Sequence, residues 1–270
     1  MHPRVSLSAI STFSWELDED LAFYADAGID NVGISMAKLD RFGWDEGTRR
    51  VVDAGLRVTN LIGLGPFRLA EPAGWEAQRE RLVRALDTAS AVGAECLVCT
   101  TGPAGPLTWD GAADALEAAL SPVLVEARSR GVRLAIEHTN SLRVDIGFVH
   151  TLADAVDLAR RLDVGVCMEV NACWAERGLA ATVAAGAGAG RIYLVQVSDY
   201  AVGTLSTPNR LVPGDGDIPL PRILGDVLAA GYSGCFDLEL IGPRIDEEGY
   251  RAASLRSIDR LTELLEFLGA

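Results

Sequence analysis

The stretch GVRLAIEHTN (residues 131–140) contains the pattern that decides the fold. A glycine that can end a helix stands first, and the apolar run Leu134, Ala135 and Ile136 follows it and leads directly into Glu137. A charged group at the edge of a core is costly unless it is paired or binds a cation. The stretch therefore predicts a buried strand that carries a carboxylate to its C-terminal end.

Similar apolar runs recur along the chain, and amphipathic segments with helical spacing separate them. The runs cover residues 4–11, 31–35, 57–64, 95–101, 133–139, 164–170, 192–198 and 235–241. Mostly apolar strands that alternate with helices indicate a parallel sheet covered on both faces. Eight such units predict a (β/α)8 TIM barrel, a single α/β domain over residues 1–270, with an open doubly wound sheet as the alternative.

Glycine and proline mark the expected helix ends. Gly28, Gly55, Gly93, Gly131 and Gly231 each stand shortly before an apolar run, where a helix is expected to end. In the segment before residue 131, Pro122 predicts a kink or a break, because proline lacks the backbone N–H of a helix interior.

Composition limits the partners and the compartment. The net charge of −14 disfavours nucleic acids and anionic membranes, which bind basic patches. We find neither a membrane-length apolar segment nor a secretory signal, so a cytoplasmic location is expected. The five cysteines are a poor disulfide framework, and the pair Cys96 and Cys99 is expected to be buried in a strand and not to bind zinc.

Polar side chains with oxygen ligands stand near the ends of the last four predicted strands. They are Glu137, Glu169, Gln196 and Glu239. Barrel enzymes place their chemistry at this edge, and strand alternation points Glu239 inward. Three carboxylates in one cavity would repel each other by several kcal/mol unless a cation lay between them. The set predicts a divalent metal site, with Mn²⁺ or Mg²⁺ favoured over zinc because the set contains no histidine.

This arrangement resembles the sugar phosphate isomerase/epimerase family of xylose isomerase-like barrels. Glu137 in LAIEHTN, Glu169 in GVCMEVNACW, Gln196 in LVQVSDY and Glu239 in GCFDLELIG match the family's four metal ligands, and NRLVPGDGDIPLPRIL (209–224) resembles its P-G-x-G-D loop. Two positions depart from the family pattern: Glu169 replaces the usual aspartate, and Ala172 stands where many members have a histidine.

The resemblance implies a divalent-metal-dependent isomerase or epimerase of a keto-sugar or keto-polyol. An enediolate would be held by the metal, with Glu137 and Glu239 as the acid/base pair. The alternative is a metal-dependent lyase, a dehydratase of the 3-dehydroshikimate or inosose type or an enzyme that eliminates from an oxidised sugar. A non-catalytic ligand-binding barrel is a third reading.

The expected partner is a small molecule: a sugar, a polyol or a cyclic keto acid. Arg210 is a candidate anchor for a substrate carboxylate or phosphate, with a surface arginine as the alternative. His138 and Asn171 are further candidate contacts, although alternation in the strand would turn His138 towards the helices. Trp15 and Trp109 would either wall the pocket or cover the barrel rim, as would Phe67 and Trp174. No sequence pattern identifies a subunit interface, so the sequence neither predicts nor excludes a homo-oligomer.

Overall fold

The computed structural model describes residues 1–63 and 67–270, and it contains a closed barrel of parallel strands in the order β1 to β8. The strands are β1 Val5–Ser8, β2 Asn31–Ser35, β3 Arg57–Gly63, β4 Leu97–Thr100, β5 Leu134–Glu137, β6 Gly165–Glu169, β7 Ile192–Val197 and β8 Phe236–Leu238. The predicted TIM barrel is confirmed. The open-sheet alternative is wrong, because β1 pairs with β8 at Val5–Phe236 and Leu7–Leu238.

Helices surround the strands in the alternating order expected from the sequence. They are α1 Leu17–Ala27, α2 Met36–Phe42, α3 Trp44–Asp53, α4 Trp75–Ala91, α5 Trp109–Ser129, α6 Leu152–Leu162, α7 Val170–Cys173, α8 Leu179–Gly188, α9 Leu220–Ala229, α10 Pro243–Glu248 and α11 Tyr250–Leu268. Two 3₁₀ turns, Ala9–Thr12 and Pro72–Gly74, precede α1 and α4. None of the helices in the described ranges is long and apolar enough to span a bilayer.

Strand β2 has the length of its predicted run, and most of the other strands are shorter than the runs that predicted them. The first run continues past β1 into a 3₁₀ turn, because the Ser8 hydroxyl accepts a hydrogen bond from the Ile10 N–H and caps that turn. The last run leaves regular pairing before Glu239, although the Glu239 N–H still donates to the Val197 carbonyl of β7 at 3.2 Å. Position 64, the end of the third predicted strand, lies outside the described residues.

The predicted helix ends are confirmed at the glycines. Of the two outcomes expected at Pro122, a kink or a break, the break does not occur. All five glycines adopt positive φ, the left-handed conformation that glycine accepts most readily. Helix α5 continues through Pro122. The Ala118 carbonyl, which a proline four residues later cannot bond, accepts instead from Arg79 of α4 at 3.0 Å.

The barrel lumen is packed below its C-terminal edge. A small apolar cluster of Ile62, Cys96, Val98, Ala135, Cys167 and Leu194 fills it, separate from the main core between strands and helices. Cys96 and Cys99 are buried free thiols, as expected; Cys99 lies within β4, whereas Cys96 directly precedes the strand. The lumen therefore supplies a solid floor beneath the residues that end the strands.

Candidate metal centre and substrate cavity

Three glutamates converge above this floor. Glu137 ends β5, Glu169 ends β6 and Glu239 follows β8, and one carboxylate oxygen from each lies within 4.8 Å of the other two. All three side chains are buried. The predicted convergence of these carboxylates is present, and it follows from the period-two alternation that turns the last inward position of each strand towards the barrel axis.

The proximity of these carboxylates changes their proton affinity. Burial, followed by repulsion from Glu239 and Glu169, holds the pKa of Glu137 well above its usual value. Burial also raises the pKa of Glu169 to about 7, although Arg210 works in the opposite direction. Without a cation, the cluster therefore favours bound protons over a full set of negative charges.

Arg210 lies against two of the glutamates. Its Nη1 is 2.5 Å from Glu169 Oε2, its Nη2 is 3.2 Å from Glu239 Oε1, and its Nη1 also donates to the Glu239 carbonyl at 3.1 Å. Burial opposes its charge, but attraction to Glu169 and Glu239 outweighs this and raises the pKa of Arg210. Arg210 is thus a permanent positive charge inside the site.

The loop between β7 and α9 fixes Arg210 in this position. The Arg210 N–H donates to the Ile241 carbonyl beyond β8, and Leu211 and Asp199 pair as an isolated antiparallel bridge. The Asp199 carboxylate accepts from the N–H groups of Gly214 and Ile218 at 2.9 and 3.0 Å. Asp199, three residues after Gln196, therefore organises the P-G-D-G-D turn.

The residues present fit a divalent cation. Three carboxylates and one guanidinium leave two uncompensated negative charges, which one doubly charged ion neutralises. Glu169 Oε2 is paired with Arg210 Nη1 at 2.5 Å, and this single guanidinium is shared with Glu239. Carboxylate oxygens are the ligands that hard cations such as Mg²⁺ and Mn²⁺ take.

Gln196 lies in the cluster as a hydrogen-bond donor. Its Nε2 donates to Glu239 Oε2, and its Oε1 accepts from Cys167 Sγ at 3.2 Å. In this orientation the amide oxygen faces the lumen floor. Ligation of a metal through that oxygen, as predicted from the sequence, requires the amide to turn over; its role as a ligand stays a prediction.

A cavity of about 720 Å³ opens above the cluster, a size suited to a small molecule. The three glutamates, Arg210 and Asn171 all line it. The Asn171 N–H donates to Glu169 Oε1 at 2.8 Å, so Asn171 also orients this glutamate. Of the predicted substrate contacts, the structure therefore brings Arg210 and Asn171 to the cavity.

The other three predicted contacts lie elsewhere. His138 is fully buried behind the strands, where its Nε2 accepts from the Glu169 N–H at 3.2 Å and burial lowers its pKa to about 3. Trp109 packs edge-to-face on Phe148 with ring centroids 5.6 Å apart. Trp15 lines a separate shallow depression beside Tyr250. Among the described residues these three are absent from the lining of the central cavity, and for the two tryptophans this agrees with the rim alternative.

Four cations for which the sequence pattern predicts no role also line the cavity: Lys38, Arg41, Arg81 and Arg143. Three of them come from helices α2 and α4, where no strand-end pattern could identify them. A buried carboxylate was missed as well. Asp237, two residues before Glu239 on the same face of β8, accepts from Ser6 Oγ at 2.7 Å, and burial raises its pKa to about 7. The alternation that turned Glu239 inward would have identified Asp237.

Comparison with known proteins gives a family match over most of the chain. The family model described as xylose isomerase-like TIM barrel matches residues 21–261. Among curated proteins, a 3-dehydroshikimate dehydratase of Pseudomonas aeruginosa is 30% identical over 96% of this chain. The match spans 41% of that relative, so the chain corresponds to less than half of its length.

Solved structures share the same architecture. A protein of Sinorhizobium meliloti 1021 is 26% identical, with a TM-score of 0.88 over 97% of this chain and 98% of its own. The IOLI protein, whose structure carries a bound zinc atom, is 16% identical, with a TM-score of 0.85 over 98% of this chain and 99% of its own. At this level of identity, the second likeness concerns the fold alone.

Proposed function

Because the chain belongs to the xylose isomerase-like TIM barrel family, we propose that it is a divalent-metal-dependent enzyme that removes a proton from the carbon beside a carbonyl group. Its substrate class is a small hydroxy-carbonyl compound, and its metal is Mn²⁺ or Mg²⁺. The observation that carries the proposal is the convergence of Glu137, Glu169 and Glu239 within 4.8 Å at the bottom of a cavity.

Each residue of the site has a distinct role in this proposal. Glu137 and Glu239 stand on β5 and after β8 and serve as the two groups that take and return a proton. Glu169 is oriented by the Asn171 N–H and by Arg210, so it serves as a fixed ligand. A bound divalent cation polarises a carbonyl and stabilises the negative charge that develops on its oxygen.

Two products can follow from the same first step. Return of the proton to the carbon skeleton gives an isomer or an epimer. Loss of a neighbouring hydroxyl, protonated by the second glutamate, gives a dehydrated product and water. The second outcome is supported by the 30% identical relative, whose name describes a dehydratase, and it makes a lyase the second candidate.

The test is a screen of keto-sugars, inososes and 3-dehydroshikimate in D₂O, with protein first stripped of metal and then loaded with Mn²⁺ or Mg²⁺. We expect Mn²⁺-dependent incorporation of deuterium for an isomerase or epimerase. For a lyase we expect a product lighter by one water. Metal analysis of the purified protein runs in parallel. Absence of metal binding would overturn the proposal and favour the non-catalytic reading.

A further inference from the structure

We propose that His138 is a positioning residue, which sets the spacing of Glu137 and Glu169 so that both carboxylates reach one divalent cation. It acts from behind the strands, through the backbone of β6, and touches neither the cation nor the substrate. This inference rests on the proposed function, since it concerns the same glutamates.

The ladder between β5 and β6 ends before the β6 glutamate. Glu137 and Cys167 form its last pair, and Glu169 lies two residues further along β6. On the other side of β6, Glu169 still pairs with Gln196 of β7. The backbone of Glu169 is therefore held towards β7, and the edge that faces β5 needs a different partner.

The chain that follows β5 turns to its own loop instead of to β6. The Thr139 N–H donates to the Val149 carbonyl at 3.0 Å, and the Thr139 carbonyl is 3.1 Å from His150 Nδ1. These main-chain groups are thus engaged with the segment that leads into α6. Main-chain pairing alone does not fix the end of β5 against the end of β6.

The His138 side chain supplies the missing link. Its Nε2 accepts a hydrogen bond from the Glu169 N–H at 3.2 Å, and the residue is fully buried. Because His138 directly follows Glu137 in the chain, this bond ties the backbone that carries one glutamate to the backbone that carries the other. A rigid ring thereby sets the distance between two ligands on neighbouring strands.

The other ring nitrogen of His138 is left without a partner. A neutral imidazole that accepts at Nε2 carries its proton on Nδ1. This Nδ1 is buried and has no hydrogen-bond partner among the described residues. An unpaired buried N–H destabilises a fold, so packing alone would favour an apolar side chain at this position. The property that an apolar side chain lacks is the acceptor for the Glu169 N–H.

The carboxylate of Glu169 is held separately from its backbone. Oε1 accepts from the Asn171 N–H at 2.8 Å, and Oε2 is 2.5 Å from Arg210 Nη1. Neither contact restrains β6 relative to β5. Loss of the His138 bond would therefore leave the carboxylate paired but allow the two strand ends to separate. Residues that orient metal ligands typically contribute about 10–100-fold to metal affinity.

The test compares two replacements of His138 that have the same length. Glutamine places its amide oxygen as many bonds from Cα as Nε2, whereas methionine fills the space with only a weak acceptor. Calorimetry at pH 8 measures their affinities for Mn²⁺. We expect His138→Met to bind Mn²⁺ about 10–100-fold more weakly than the wild type, and His138→Gln to keep the wild-type affinity.

His150→Met is the matched control. His150 lies on the same loop and bonds to the Thr139 carbonyl, so its replacement is expected to leave the affinity for Mn²⁺ unchanged. Should His138→Met fail to fold, His138→Asn takes its place, because its amide oxygen lies one bond closer to Cα and cannot reach the Glu169 N–H. A further measurement uses the metal-free wild-type protein: ¹⁵N NMR is expected to show His138 protonated at Nδ1 and unprotonated at Nε2.

The outcomes separate this inference from the proposed function. Wild-type affinity for Mn²⁺ in His138→Met, or equal losses in His138→Met and His138→Gln, would overturn the positioning role and leave the metal-dependent function standing. A proton on Nε2 would also overturn it, since that nitrogen could not then accept from Glu169. Failure of the wild-type protein to bind Mn²⁺ would overturn both.

Discussion

The two halves of the barrel end in different chemistry. Strands β5 and β6 end in glutamates and β8 is followed by one, whereas β1 to β4 end in Ser8, Ser35, Gly63 and Thr100. In the first half, the cations that reach the cavity come from helices. We call the half from β5 to β8, which carries the glutamates, the acidic half, and the half from β1 to β4, whose helices carry Lys38, Arg41 and Arg81 to the cavity, the basic half. In the proposed function the acidic half supplies the proton-transfer groups.

Replacement of a glutamate in the acidic half is expected to have the largest effect. In the proposed function Glu239 is both a proton-transfer group and a metal ligand. We therefore expect Glu239→Gln to lower turnover about 10²–10⁴-fold and to lower Mn²⁺ affinity with it. Asp237→Asn is the matched control, because Asp237 shares the strand face but lies outside the cluster. Steady-state kinetics and calorimetry measure both. Equal losses of turnover and Mn²⁺ affinity in the two variants would contradict the assignment of these functions to the glutamate cluster.

Removal of the arginine from the acidic half tests the charge balance. Arg210→Met leaves three buried carboxylates without a counter-charge, and we expect the metal-free protein to lose about 3–5 kcal/mol of unfolding free energy at pH 8. Mn²⁺ is expected to stabilise this variant more than it stabilises the wild type.

The control is Arg256→Met, whose partners Asp215 and Glu248 lie at the surface. Its cost is expected to be at most about 1 kcal/mol. Denaturant titration with and without Mn²⁺ gives these values. A stable Arg210→Met protein with no added response to Mn²⁺ would contradict the charge balance.

The basic half contains a buried ion pair of its own. Lys38 and Asp20 are 2% and 0% exposed, and burial raises the pKa of Asp20 to about 6 and lowers the pKa of Lys38. We expect Lys38→Met to cost about 3 kcal/mol, at the lower end for a broken buried pair because Asp20 can take up a proton. The double variant Lys38→Met/Asp20→Asn is expected to recover much of the loss in denaturant titrations. A double variant as unstable as Lys38→Met would show that the pair is not the cause.

The effect that is smallest near neutral pH, and grows only in acid, concerns the support of the acidic half by His138. Burial lowers the pKa of His138 to about 3 from an ordinary value of 6.5, so the unfolded chain binds a proton that the folded chain does not. The stabilisation is present above pH 6.5 and is lost as the pH falls towards 3. We expect wild-type stability to fall more steeply than that of His138→Gln in this window, by about 1.4 kcal/mol per pH unit. Parallel acid slopes in the two proteins would contradict this.

The sequence was most informative where period-two alternation meets a strand end. Glu137, Glu169 and Glu239 could be placed in one cavity because parallel strands in a barrel all end at the same edge. The final strand is short, but the backbone bond from Glu239 to Val197 preserves its direction beyond the regular ladder. This is the part of the site that local pattern alone determines.

The rest of the site depends on contacts between residues far apart in the chain. Arg210 reaches the glutamates because Asp199 folds the following turn, and that folding cannot be inferred from spacing. Arg41 and Arg81 look like ordinary charges on exposed helix faces, and only the tertiary structure turns them towards the cavity. Sequence reasoning identified the acids from their strands and missed the cations on the helices.

The buried cysteines make the opening of the barrel measurable by thiol labelling. All five cysteines are buried, and burial raises the pKa of the Cys96 and Cys99 thiols to about 12. Since the thiolate is the species that reacts, an alkylating reagent can modify these residues only when the barrel opens. Cys167 lies directly beneath Gln196, so the rate at which its thiol is labelled would report how often the barrel opens below the glutamate cluster.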